Sequence, residues 1–310
     1  MSVSSLELLS TVTGPTACPA SDSDSSPQVE HLNSEQVLIT KRSGRCSICL
    51  AELGRAWLEQ FHTAPELLFS TTRLWLKQGS DRRAALVEAD LDGQSVNWFL
   101  KETITRSWWV RFVVQISEFR SSNAWKQARE FRAISVSTPR PLALATFTRN
   151  GSYHEYFLTE AISNAITLNQ WLGQCRPTNV DFESVSQRHW IARELAGQLR
   201  RLHQHRLDHR DLKASNILLS EADGRLKLWL IDLDGVWRWP ILPRSRRVQN
   251  LARLWAGVAQ SNSVTATDAL RFLKVYLGAD WQRSWKTFWR QITRRAASKI
   301  RSLAPGLTSL

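Results

Sequence analysis

The chain has 310 residues, 43% hydrophobic and 22% charged, the balance of an ordinary soluble globular protein with room for one large or two small domains. Its apolar runs are too short or too interrupted to cross a bilayer, as in WWVRFVVQI with Arg111 inside it, and four cysteines are too few for a disulfide framework. A net charge of +13 predicts attraction to anionic partners (nucleotide phosphates, nucleic acid or an acidic membrane face) without choosing among them.

The N-terminal MSVSSLELLSTVTGPTACPA has no basic start and no sustained apolar core, so no secretory signal is read there. Residues 1–36 are rich in Ser, Thr, Pro and Asp and predict a disordered tail. Cys46 and Cys49 form a lone C-x-x-C with only His62 close downstream, which predicts structural thiols rather than a zinc site. Residues 73–102 alternate as strands. RLWLKQ and AALVEADL are followed by an Asp92-Gly93 turn and SVNWFLKE, a hairpin signal. In the last strand Val96, Trp98 and Leu100 share one face, and Asn97, Phe99 and Lys101 the other. SSNAWKQAREFRAIS at 121–135 reads as a helix capped by Ser121, Ser122 or Asn123 and ended by TPRP. PLALATF and YHEYFLTEA predict two more strands. Residues 37–157 are thus a small antiparallel sheet plus one helix.

The second half, 158–310, predicts a mainly helical unit. Ile191, Leu195, Leu199 and Leu202 make an apolar stripe along a long helix. NILL, a turn at Asp223-Gly224 and LKLWLIDLD form a second short hairpin, and helices follow over 246–260, 266–277 and the C-terminus. In WQRSWKTFWRQITRRAASKIRS one face carries Trp281, Trp285, Phe288, Trp289, Ile292, Ala296 and Ile300. Arg283, Lys286, Arg290, Arg294, Arg295, Lys299 and Arg301 supply cations with no acid between. Such a helix either packs its apolar face on the larger lobe or lies on anionic lipid.

Between the long helix and the second hairpin stands HRDLKASN. Asp211 lies five residues before Asn216, the H-R-D-x-x-x-x-N spacing of a phosphoryl-transfer loop. In that arrangement Asp211 accepts the proton of the attacking hydroxyl, Lys213 neutralises the transferred phosphoryl group, and Asn216 binds magnesium, an ion that prefers hard oxygen ligands. The strand LWLIDLD ends at Asp232, a second metal-binding carboxylate; Asp232-Leu-Asp stands where protein kinases have D-F-G, with Gly235 one position late. Lys101, rather than Lys77, is the lysine expected on the ATP phosphates, and Glu130, rather than Glu118, its partner on the following helix. Gly79 and Ser80 in KQGSDRR are the candidates for a phosphate-covering turn, with charge from Arg82 or Arg83; a plain hairpin turn fits the same residues. The order of these parts predicts an α+β, bilobal, protein-kinase-like fold.

The sequence resembles the lipopolysaccharide core kinases of the Kdo/WaaP family. The resemblance covers most of 70–280 and rests on NWFLKET, AWKQAREFRAISVSTPRPLAL, HRDLKASNILL, LIDLDGV, NLARL and RFLKVYLG. The short stretch from Asp232 into RRVQNLARL leaves no room for a long activation segment and holds no A-P-E, which weighs against an ordinary Ser/Thr protein kinase. The resemblance implies ATP- and Mg2+-dependent phosphorylation of a Kdo or heptose hydroxyl on lipid-linked inner core, at the cytoplasmic face of the inner membrane. It also implies the roles above for Lys101, Glu130, Asp211, Asn216 and Asp232. A Ser/Thr protein kinase and a non-catalytic kinase-fold scaffold are the competing readings. No nucleic-acid partner is expected, since no binding motif for one is recognised.

Overall fold

The structure is a computed structural model and describes residues 27–32, 35–42, 44–91, 93–106, 120–174, 182–222, 224–261 and 263–303. It has two lobes, each with its own hydrophobic core. The N-lobe is an eight-stranded antiparallel sheet, in the order β1-β2-β3-β7-β8-β6-β5-β4. In chain order these strands are β1 (Gln28–Leu32), β2 (Glu35–Arg42), β3 (Arg45–Leu50), β4 (Thr72–Gln78), β5 (Arg82–Leu91), β6 (Gln94–Thr105), β7 (Pro141–Arg149) and β8 (Ser152–Glu160). The β5–β6 turn closes through Gly93, whose φ of 79° is open to glycine.

Two boundaries and one helix differ from expectation. β1 lies inside the stretch read as tail, and β8 runs past residue 157. A helix α1 (Arg55–Thr63), absent from the sequence reading, covers the outer sheet face. Its Leu58 and Phe61 are buried, and Trp57 meets Trp98 edge-on at 5.7 Å. That helix hides the Val96/Trp98/Leu100 face and leaves the Lys101 face to the cleft.

Helix α2 (Arg120–Ala133) begins before the expected cap and ends before the TPRP run, where Ser135 turns left-handed at φ 57°. It serves both cores. Ala124 and Trp125 pack with the sheet, and Ala128 and Phe131 with the C-lobe. The alternative residue Glu118 lies outside the described residues.

The C-lobe contains β9 (Ile166–Thr167), α3 (Leu168–Gln174), α4 (Phe182–Gln204), β10 (Leu207–His209), β11 (Ile217–Ala222), β12 (Arg225–Leu230), β13 (Val236–Arg238), α5 (Arg244–Val258), α6 (Ala266–Leu277) and α7 (Trp281–Leu303). The α4 stripe Ile191, Leu195, Leu199 and Leu202 is buried, as its spacing requires. β11 and β12 form the second hairpin, closed through Gly224 at φ 66°. The apolar face of α7 faces protein. Phe288, Ile292 and Ala296 are buried, and Trp289 packs edge-on against Trp255 of α5 at 4.8 Å.

Cys46 and Cys49 sit three apart on β3, so they project to opposite faces. Cys49 is buried and its thiol is pushed up to about 12 by desolvation. His62 hydrogen-bonds Ser47 Oγ through Nδ1 at 2.9 Å. Their opposite projection keeps the two thiols from binding one metal ion together.

Candidate active site

The site is assembled from two short loops of the C-lobe and one strand of the N-lobe. β10 pairs with β13, setting His209 opposite Val236. This brings the HRDLKASN loop beside the segment Asp232–Gly235. Two further bonds lock them together. Ile231 N donates to Asn216 O at 3.0 Å, and His209 Nε2 donates to Ile231 O at 3.1 Å. His209 is fully buried, and desolvation lowers its pKa, so the imidazole is held neutral as a structural tie.

Within the first loop Asn216 Nδ2 donates to Asp211 O at 2.9 Å and to Asp211 Oδ2 at 3.3 Å. Lys213 Nζ donates to the same Oδ2 at 2.7 Å. Asn216 is 7% exposed, while the Asp211 side chain is 48% exposed and open to an acceptor. Asn216 Oδ1 makes no hydrogen bond among the described residues, so an oxygen ligand remains for a cation.

Asp232 takes the left-handed conformation, φ 62° and ψ 59°, a strained choice for a side-chain-bearing residue that aspartate tolerates better than most. The bend turns its carboxylate to the cleft. Lys101 descends from the middle of β6, where it pairs in register with Ala84 of β5 and Phe157 of β8. Its Nζ lies 3.1 Å from Asp232 Oδ1 and 2.5 Å from Asp234 Oδ2. Burial acts to lower the Lys101 pKa, but the carboxylates of Asp234 and Asp232 outweigh it and hold the ammonium above the usual lysine range. Burial acts to raise that of Asp232, and the Lys101 charge outweighs it in turn. The Lys213 charge also reaches Asp232, which places the two loops in one electrostatic unit.

The structure therefore brings together Lys101, Asp211, Lys213, Asn216 and Asp232. It does not bring Glu130 to Lys101. Glu130 on α2 pairs with Arg238 of β13 instead, and Asn123, about two turns earlier on the same face, donates to Val236 O at 2.9 Å. The helix is thus fastened to the strand after Asp232, and this direction of its side chains takes Glu130 off the lysine. The phosphate-covering turn also departs from expectation. Gly79 N donates to Arg82 O at 3.0 Å and is spent inside the turn, while Ser80 O accepts from Arg106 Nη2 at 3.4 Å. Arg83 points to the outer face, where it pairs with the buried Glu102. Arg82, registered opposite Thr103, shares the Lys101 face of the sheet. Lys77 stands exposed on β4, registered through Ala84 with Lys101 but two strands away.

Two carboxylates went unread. Asp234 carried a signal in the D-x-D spacing. Glu155 carried none, because Y-H-E-Y-F-L reads as ordinary alternation.

The described residues gather no group of three or more His, Cys, Asp or Glu side chains as an all-protein metal cage. Magnesium does not need one, since it is commonly held by one or two protein oxygens with phosphates and water. Asn216 Oδ1 and the Asp232 carboxylate are hard oxygen donors of that kind.

The family model described as "Lipopolysaccharide kinase (Kdo/WaaP) family" matches residues 69–276, which includes every residue of this cluster. The chain belongs to the Kdo/WaaP family. It is accordingly a phosphotransferase of the kinase class acting on a sugar hydroxyl of lipopolysaccharide core. Among curated relatives, 3-deoxy-D-manno-octulosonic acid kinase of Actinobacillus succinogenes is 27% identical over 210 residues, covering 60% of this chain and 78% of that one. The protein of the same name from Pasteurella multocida is 27% identical over 192 residues, covering 55% and 72%. A solved structure titled "WaaP in complex with acyl carrier protein" superposes with a TM-score of 0.56 at 18% identity, over 75% of this chain and 91% of that one. That likeness carries the kinase-like fold.

Proposed function

We propose that this Kdo/WaaP kinase transfers the γ-phosphoryl group of ATP, with Mg2+, to a hydroxyl of Kdo or heptose in lipid-linked lipopolysaccharide inner core. The observation that supports it most is the meeting of Lys101 with Asp232, 131 positions apart in the chain, directly beside the Asp211–Lys213–Asn216 loop. That is a nucleotide lysine, a metal carboxylate, a metal amide and a base carboxylate in one cleft.

In the reaction the acceptor oxygen bonds to the γ-phosphorus as the bond to the β–γ bridging oxygen breaks, and ADP departs. Asp211 takes the acceptor's proton, and its exposed carboxylate is placed by Asn216 and Lys213. Lys213 lies where charge gathers on the moving phosphoryl group. Asn216 and Asp232 would hold magnesium, which supplies charge neutralisation on the phosphates. Lys101 would hold the α and β phosphates, released from its present bonds to Asp232 and Asp234.

A peripheral position on the inner face of the inner membrane fits the outward side of α7. Arg283, Lys286, Arg290 and Arg294 are exposed there at helical spacing, with no acid between them. No helix among the described residues is long and apolar enough to span a bilayer. The buried apolar face of α7 is not available to lipid, so contact would be made by the basic stripe.

The test is purified protein with ATP and MgCl2 and a panel of lipid A acceptors bearing Kdo alone or Kdo with heptose. Phosphate on the sugar, lost in Asp211→Asn, is the expected result. Transfer to added proteins and never to the glycolipids would overturn the acceptor assignment, and no nucleotide turnover at all would overturn the kinase reading.

A further inference from the structure

The displacement of Glu130 leaves Lys101 without the helix partner that a kinase-like site calls for, and a different carboxylate occupies its face of the sheet. β6 and β8 pair antiparallel with Lys101 opposite Phe157 and Thr103 opposite Glu155. Residues paired across a ladder share a face, so Lys101, Thr103, Phe157 and Glu155 all project to the cleft. Glu155 is the diagonal neighbour of Lys101, about 7–8 Å away across the ladder, which a lysine and a glutamate can bridge.

Glu155 is 6% exposed, and the charges acting on it are those of Asp234 and Lys101. Thr103 Oγ1, directly opposite it, is buried without a partner. A carboxylate buried that way is costly and is rarely kept in a core that gains nothing from it. Its electrostatic neighbours are the active-site groups themselves. Burial and the Asp234 charge push the Glu155 carboxyl up to about 8, and Lys101 acts in the opposite direction.

We propose that Glu155 on β8, in place of Glu130 on α2, is the positioning residue that holds Lys101 toward the nucleotide phosphates. The inference rests on the kinase reading given above. Asp232 is a candidate metal ligand, so its carboxylate is claimed by the cation once the site is loaded. Asp234 sits in a single turn of the loop and is 27% exposed. Glu155 stands on a central strand, paired on both sides by β6 and β7, and is the more rigid anchor. In this arrangement Lys101 exchanges one partner set for another. Without nucleotide it bridges Asp232 and Asp234; with nucleotide it turns along its own sheet face to Glu155 and the phosphates.

The experiment is calorimetric titration of the full chain with ATP, with and without MgCl2, alongside steady-state kinetics in ATP and in acceptor. Glu155→Gln, nearly isosteric, is expected to weaken ATP binding about tenfold, the scale of one hydrogen bond to a charged group. KM for ATP should rise by a similar factor, with KM for the acceptor within about twofold of wild type. Glu155→Asp, which restores the carboxyl group, should recover part of the loss. Glu130→Gln and Asp234→Asn should each weaken ATP binding less than Glu155→Gln does. Combining Glu155→Gln with Lys101→Met should add little to Lys101→Met alone.

Wild-type ATP binding that Glu155→Gln leaves within about twofold overturns this inference alone, as does a larger loss in Glu130→Gln or Asp234→Asn. Failure of the wild type to bind ATP overturns the kinase reading and this inference together. If melting shows Glu155→Gln to be unfolded, Glu155→Asp carries the test. Its carboxylate is withdrawn by one methylene, so binding about threefold weaker is expected, and wild-type binding overturns the proposal.

Discussion

Replacing Asp208 by Ala would test whether the HRDLKASN loop is held by a buried polar chain or only by apolar packing. Asp208 is 1% exposed on β10, three residues before Asp211. Its Oδ1 accepts from Asn250 Nδ2 at 2.6 Å, and its Oδ2 accepts from Arg246 Nε at 2.9 Å and Trp239 Nε1 at 3.3 Å. Asn250, 2% exposed, also accepts from His209 N at 3.2 Å through Oδ1. The substitution strands the Asn250 amide in the interior at about 1–3 kcal/mol. Arg246 is 28% exposed and can rehydrate, so its loss adds about 1 kcal/mol, and Trp239 adds less. The sum, about 2–5 kcal/mol, overlaps the range for breaking a buried charged pair. It would remove a large part of a typical 5–15 kcal/mol stability. Urea unfolding followed by tryptophan fluorescence should show the midpoint about 1 M lower with the slope unchanged. A loss under about 1 kcal/mol, or Arg246→Ala costing as much as Asp208→Ala, would refute the assignment of the cost to the buried amide.

Asp211→Asn should lower kcat by about a thousandfold while leaving KM for ATP within a few fold, and equal losses in both would take the base role from Asp211. His203 is buried between Tyr276 Oη at 2.7 Å and Asn250 Oδ1 at 3.3 Å, and burial lowers its pKa to about 4. A base depressed in the folded state stabilises above its unfolded value near 6.5 and loses that contribution as pH falls toward 4. Stability should therefore drop by up to about 3 kcal/mol over that window, and His203→Gln should flatten the drop; an unchanged slope in the variant would sink the claim. Reversing Arg283, Lys286, Arg290 and Arg294 to Glu should abolish cosedimentation with anionic vesicles without lowering the melting temperature. Persisting vesicle binding would move the membrane contact elsewhere.

Much of this architecture was legible from local chemistry. Both Asp-Gly turns marked hairpins, the apolar stripe marked α4, and residues 266–277 matched α6 to the residue. The geometry of the HRDLKASN loop was legible because Asp211, Lys213 and Asn216 lie within six positions, where spacing alone sets geometry. What failed was long-range. Glu130 has the right type at the right distance, yet the rotation of α2 is decided by contacts with β13 that no local pattern encodes. Glu155 was invisible because a strand with two buried neighbours looks the same whether its inward residue serves packing or a ligand. α1 is nine residues long, and Trp57, Leu58 and Phe61 at helical spacing were too brief a stripe to separate from the surrounding strands. The amphipathic pattern of α7 fits a bilayer surface or a protein interior equally well. Trp255 and Tyr276, on other helices, show that protein covers it.

The placement of α2 bears on how the molecule comes apart. One helix lends Ala124 and Trp125 to the upper interior and Ala128 and Phe131 to the lower. Melting either half therefore strips a wall from the other. Heating should give one sharp calorimetric peak instead of two, and any hinge motion that admits the sugar must carry this helix along with one half as a rigid lever.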